Sequence, residues 1–218
     1  MHTNLVRITL SVLLIAAFLV ATPLVRGQDD PPVPRAATSS DAVKVDLLFV
    51  GAHPDDESTA TATLARYVID HGARAAVITA TRGEGGGNAI GRELGPSLGI
   101  LRDYEERQSL SMLGIDQLYH LDELDWAFTT SATATEVAWG YDEPLAKLVR
   151  YVRVLKPEVI VTMNPSPRGH GHHQYAAKLA TEAFFLAGDP SAFPEQLEEE
   201  FIEPWQPKKL YYALAYGA

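Results

Sequence analysis

Val43-Lys44-Val45-Asp46-Leu47-Leu48-Phe49-Val50-Gly51-Ala52-His53-Pro54-Asp55-Asp56-Glu57 is the stretch from which the fold is read. Its first nine residues are short, apolar and partly β-branched, as expected of a strand buried on both faces of a parallel sheet. The next six place four ionisable side chains in five positions directly behind that strand. Turn chemistry alone needs far fewer charges. Pro54 fixes the backbone between His53 and the acids, and the adjacent Asp55 and Asp56 cannot point the same way.

Working outward, Thr59 to His71 carries helical periodicity and stops at Gly72, and Arg74 to Thr79 reads as a second strand. Residues 81–88 (TRGEGGGN) are too glycine-rich for a regular element. A helix over Arg102–Leu113, a strand over Gln117–Leu121, a helix over Asp142–Leu155 and a strand over Glu158–Met163 follow. A histidine-bearing loop, a helix over Tyr175–Ala187 and a strand over Lys208–Ala215 complete the pattern. Alternating strands and helices predict an α/β, Rossmann-like fold: a mainly parallel sheet with helices on both faces. In such sheets ligands bind at the carboxyl ends of strands. The segments 51–57, 81–88 and 164–173 all follow strands, so the chemistry is expected there. Leu121 to Trp139 is irregular; Trp126, Phe128 and Trp139 suit either core packing or a platform for sugar rings.

The first 27 residues stand apart from the fold. Arg7 precedes an uncharged run from Ile8 to Val25, then Arg26-Gly27, which reads as a signal peptide or, uncleaved, an N-terminal anchor. Residues 28–42 (QDDPPVPRAATSSDA) read as a linker, and 43–218 as the domain. The protein is therefore expected to be exported, to the periplasm or beyond, with no membrane contact unless the anchor stays. The sequence stops at Ala218 directly after an aromatic strand, an ending that fits a domain continuing past that residue.

The formal charge is -10, and without residues 1–27, which hold two arginines and no acid, 16 basic residues face 28 acidic ones. That balance argues against nucleic acid or an anionic membrane surface as a partner, and the expected partner is a small-molecule or glycan substrate. Cysteine is absent, so a metal site must use imidazoles and carboxylates.

Three of the seven histidines fall within Gly169-His170-Gly171-His172-His173. Packing does not explain such density, whereas His2, His71 and His120 stand alone and read as ordinary surface or core residues. His53, Asp56 and one histidine of 170–173 make a two-His, one-carboxylate set. Catalytic zinc takes three such ligands and leaves a place for water. The same set serves ferrous iron, so ligand types leave Zn2+ and Fe2+ both open. A spare carboxylate, Asp55, is then available as general base.

The Ala-His-Pro-Asp-Asp-Glu string, the Thr81-Arg82-Gly83-Glu84-Gly85-Gly86 loop and the later His-rich segment resemble the LmbE-like (PIG-L) deacetylases, from about residue 45 to 214. The resemblance implies a zinc-dependent hydrolase that removes acetyl from N-acetylglucosamine-type sugars or conjugates. It makes His53, Asp56 and His173 the metal ligands and Asp55 the general base. His170 becomes the residue that steadies the transition state or protonates the leaving amine. Arg82, Glu84, Asn88, Arg102 and His172 become candidate substrate contacts, with Arg102 paired to Glu105 in an Arg-x-x-Glu spacing. One departure stands out: the family's His-Pro-Asp-His is here His170-Gly171-His172-His173. That change leaves a second function open, a carbohydrate-binding module that keeps the metal site without turnover.

Overall fold

A computed structural model describes residues 42–214. The signal-peptide or anchor segment, and all of the linker but residue 42, lie outside them. Five strands form one sheet: β1 (Leu47–Gly51), β2 (Ala75–Thr79), β3 (Gln117–His120), β4 (Val159–Met163) and β5 (Lys209–Ala213). Their order is β3-β2-β1-β4-β5, and every pairing is parallel. The expected α/β sheet is thus present, with the doubly wound strand order.

The helices are α1 (Thr61–Ala65), α2 (Pro96–Met112), α3 (Ala132–Trp139), α4 (Asp142–Leu155), α5 (Gly171–Leu186) and α6 (Glu195–Glu198). Alternation along the strands divides the core in two. Leu48, Val50, Ala76, Ile78 and Ile160 pack under α3, α4 and α5, with Trp139, Leu148 and Tyr175. Leu47, Phe49, Val77 and Val161 point the other way and meet Leu64 of α1 and Leu110 of α2. Each fully buried Leu, Ile or Phe contributes about 1.5–3 kcal/mol, so both faces are held by ordinary apolar burial. Among the described residues no helix is long and apolar enough to cross a membrane.

Four expectations need correction. The helix after β1 is built of three windings, a 3-10 turn Asp56–Ala60, α1 and a π turn Arg66–Asp70, and Asp56 in the first of them is tied back to the end of β1. Helix α2 begins six residues before Arg102, with Pro96 at its first turn, where proline's missing N–H costs nothing. Residues 132–139 of the irregular stretch are helical, with Ser131 Oγ accepting from Ala134 N at 3.1 Å as an N-cap. Finally, His172 and His173 lie not in a loop but in the first turn of α5, with His170 as N-cap.

One buried cation anchors the frame. Arg153 of α4 is fully buried, and its guanidinium donates to the carbonyls of Leu186, Ala187, Asp189, Ala192 and Phe193 and to Gln196 Oε1. It ties the end of α5 and the 187–196 turns to the back of the sheet.

Candidate metal centre

The two halves of the site meet because β1 and β4 are neighbours. In a doubly wound sheet the crossovers leave β1 in opposite directions at this point, which opens a crevice at the carboxyl ends. His53–Glu57 enters it from β1, and His170–His173 from the segment after β4.

Asp56 is fixed first. Its Oδ2 accepts backbone N–H groups from Ala52 at 2.7 Å and His53 at 2.9 Å, so it seals the end of β1 rather than capping the helix that follows. Its Oδ1 is left to face His173 Nε2 at 3.2 Å. His53 Nδ1 lies 3.1 Å from the same His173 nitrogen and 3.9 Å from Asp56 Oδ2. These three residues form a group able to hold a metal ion. Bonds of about 2.0–2.1 Å in a tetrahedron put ligand atoms roughly 3.3 Å apart, so the 3.1 and 3.2 Å separations suit an ion of zinc's size. Two imidazole nitrogens facing each other beside a carboxylate oxygen are the donors such an ion needs.

The electrostatics agree. Burial disfavours the charged form of Asp56, but its bond to His173 and the charges of both histidines hold the carboxyl below its usual range. Burial likewise opposes charge on His173, and Asp56 overcomes it and raises that imidazole. Asp55 is raised, by burial first and by the neighbouring Asp56 second. Its backbone has φ 104°, a left-handed value uncommon outside glycine, and its side chain is exposed. Glu57 Oε2 accepts the Asp55 N–H at 3.2 Å, so Glu57 serves the turn.

His170 is half-buried, and its Nδ1 accepts the His172 N–H at 3.1 Å. Burial and the three neighbouring histidines push its pKa down to about 4. It is therefore neutral near pH 7, with its proton on Nε2. The exposed ring of Phe128 sits 4.7 Å from the His170 ring. Trp139, in contrast, is buried core and donates to Leu124 O.

The other candidates are placed as follows. Arg82 Nη1 pairs with Asp122 at 2.8 Å. Glu84 accepts the N–H groups of Asp125 and Arg82 at 3.0 and 3.2 Å and so braces loops rather than facing open space. Asn88 is bonded to Glu93 and to the N–H groups of Ile90 and Gly91. Arg102 binds the carbonyls of Gly83 and Gly87, yet also lines a cavity of about 230 Å3 with Asp55, Glu57, Glu105 and Glu106. His172 is fully buried, which removes it from any direct substrate contact. A larger cavity, about 700 Å3, lies away from this centre against β1, β4 and β5.

Asp125 escaped the sequence reading. It is buried in the irregular segment after β3, with Oδ1 3.5 Å from His53 Nε2 and 3.4 Å from His172 Nδ1. Burial disfavours its charge, but the two imidazoles prevail and hold its carboxyl well below the usual range. No signal in its local sequence, LDELDWAF, distinguishes it from the two acids beside it, Asp122 and Glu123.

The structure also explains the altered motif. Gly171 N donates to Thr129 O at 2.6 Å, and a Cβ at Gly171 would stand 2.5 Å from Ser131 O. Proline has neither the N–H nor the room, so the 129–131 segment can lie here only against glycine.

Comparison with known proteins agrees with this architecture. A family model described as GlcNAc-PI de-N-acetylase (PIG-L) matches residues 48–184. A 1D-myo-inositol 2-acetamido-2-deoxy-alpha-D-glucopyranoside deacetylase of Thermobispora bispora is 34% identical over 183 residues, covering 76% of this chain and 58% of that protein. The chain thus spans less than two thirds of the length of the curated relatives it matches. Conserved protein TT1542 of Thermus thermophilus superposes with a TM-score of 0.60 at 27% identity, over 80% of this chain and 68% of its own. N,N'-diacetylchitobiose deacetylase of Pyrococcus horikoshii shares the fold, with a TM-score of 0.65 at 20% identity, over 78% and 61%.

Proposed function

Because this chain belongs to the PIG-L (LmbE-like) family, we propose that it is a zinc-dependent hydrolase removing an N-acetyl group from an N-acetylglucosamine-type sugar or conjugate. The observation that carries this reading is the convergence of His53 Nδ1, Asp56 Oδ1 and His173 Nε2, with the exposed carboxylate of Asp55 beside them. When bound, zinc here would polarise the amide carbonyl and acidify a water.

The protein's own groups then divide the work. Asp55 accepts the proton of the attacking water and returns it to the leaving nitrogen, a traffic suited to a carboxyl raised by burial and by Asp56. His170, kept neutral, offers its Nε2–H to the oxygen on which negative charge develops. Its low pKa argues against its protonating the amine. Arg102 lines the wall beyond Asp55, and Phe128 offers an apolar face next to His170, where a sugar ring can rest. The apolar run behind Arg7 supports export of the enzyme.

The test is Asp55→Ala, assayed on N-acetylglucosamine derivatives beside a metal analysis. Turnover falls by about 10²–10⁴-fold while bound zinc is unchanged. Hydrolysis at the wild-type rate would refute the assignment.

A further inference from the structure

If a metal ion is held by Nδ1 of His53, the ring's proton sits on Nε2, turned away from the metal and into the protein. That outer nitrogen meets a prepared surface. His172 Nδ1 lies 3.0 Å from it, and Asp125 Oδ1 lies 3.5 Å from it. Neither partner is loosely placed. Asp125 has its backbone N–H on Glu84 Oε1 at 3.0 Å, and its Oδ2 takes the Gly85 N–H at 3.0 Å. A Cβ on Gly85 would come within 2.3 Å of Asp125 O, so the glycine-rich loop is shaped around this aspartate. His172 has no exposed surface and is packed between Trp139 and Trp126, with ring centroids 4.8 and 5.4 Å away.

We propose that Asp125 and His172 are positioning residues that hold the ring of His53 from its outer nitrogen and so set how tightly the metal is bound. Metal-ligating imidazoles depend on such outer partners for tautomer and orientation, and losing one costs about 10–100-fold in affinity. The chain builds the pair from two segments at once. Histidine stands at position 172, where the family pattern has aspartate, and the carboxylate near it is that of Asp125. The glycine at 171 allows the segment that follows Asp125 to lie against the start of α5. Glu84 and Gly85 therefore serve the metal centre through Asp125.

The inference rests on the zinc reading above, and the test separates the two. Zinc affinity is measured by chelator competition on the full chain for wild type, His53→Ala, Asp125→Asn, His172→Leu and His172→Asn, each checked for native melting. The visible spectrum of the Co2+-substituted protein is recorded for each. Asp125→Asn and His172→Leu bind zinc about 10–100-fold more weakly, with altered cobalt spectra. His172→Asn, whose amide reaches the place of Nδ1, recovers most of the affinity. Two results would overturn the idea: unchanged zinc affinity and cobalt spectra in Asp125→Asn and His172→Leu, or two ions per wild-type chain, which would make His53, His170 and His172 a second metal site. A wild type that binds zinc no better than His53→Ala refutes the zinc reading itself, and this inference with it.

Discussion

Replacing Glu106 with glutamine is expected to stabilise the protein, and increasingly so as pH rises. Glu106 sits on α2 in the wall of the cavity beside Asp55, 4% exposed, with neither carboxyl oxygen hydrogen-bonded. Burial, and then the charges of Glu57, Asp103 and Asp56, push its pKa from 4.5 to about 8. The sign follows from proton counts. Between pH 4.5 and 8 the folded state keeps this proton and the unfolded state has released it, so stability falls with rising pH. The contribution is fully present below pH 4.5 and lost as pH climbs to about 8.

At pH 7 the gap from 4.5 spans about 2.5 pH units, and at about 1.36 kcal/mol each the ionisation favours unfolding by about 3 kcal/mol. Glutamine copies the shape of the neutral acid and leaves the unfolded chain nothing to ionise. For a domain of this size 1 kcal/mol moves Tm by about 2–4 °C, so Glu106→Gln melts roughly 6–12 °C higher at pH 7. The gain shrinks toward zero near pH 4.5. The assay is thermal or urea unfolding of both proteins from pH 4.5 to 8, at equal metal loading, since a metal bound only to the folded state adds stability of its own. A variant no more stable than wild type at pH 8, or a difference that does not grow with pH, refutes the reasoning.

Two other substitutions probe the frame around the site. Arg153→Met removes a buried cation from five carbonyls and an amide oxygen and should cost about 3–5 kcal/mol, read as a lower urea midpoint. Gly171→Pro loses the bond to Thr129 O and drives a ring into Ser131; it is expected to destabilise by about 3 kcal/mol or more and to lower zinc affinity, seen by melting and chelator competition.

Much of the fold was legible because buried parallel strands are near-continuous apolar runs. Leu47–Gly51 and Val159–Met163 announce themselves, and Gly72 and Gly114 mark helix ends as local chemistry requires. Helix starts were harder. Nothing before Arg102 has strong periodicity, and the first turn of α2 exposes Ile100 and buries only Leu98 and Gly99. Helix α3 was hidden because its Ala and Thr residues give a weak pattern, and its buried face is little more than Thr135 and Trp139. In the site, spacing revealed what one turn holds together: His53, Asp55 and Asp56 stand within four residues. Asp125 could not be found this way. Its contact with His53 spans 72 positions and depends on β3 lying beside β2.

The same comparison explains why the two motifs carry unequal information. Asp56 is bound to the backbone of its own turn, so the first motif is locally self-consistent and can be read as a string. The second is not. His170–His173 is shaped by contacts with residues 125–131, including Thr129 O on Gly171 N and Asp125 on His172. A change from proline to glycine, and from aspartate to histidine, looks like decay when only residues 170–173 are considered. With the neighbouring segment in place, each change has a partner: glycine makes room for the Thr129–Ser131 backbone, and His172 Nδ1 comes to 3.0 Å from His53 Nε2. On the proposal made above for Asp125 and His172, the departure from the family pattern is a rebuilt support of the metal ligands rather than the loss of a site.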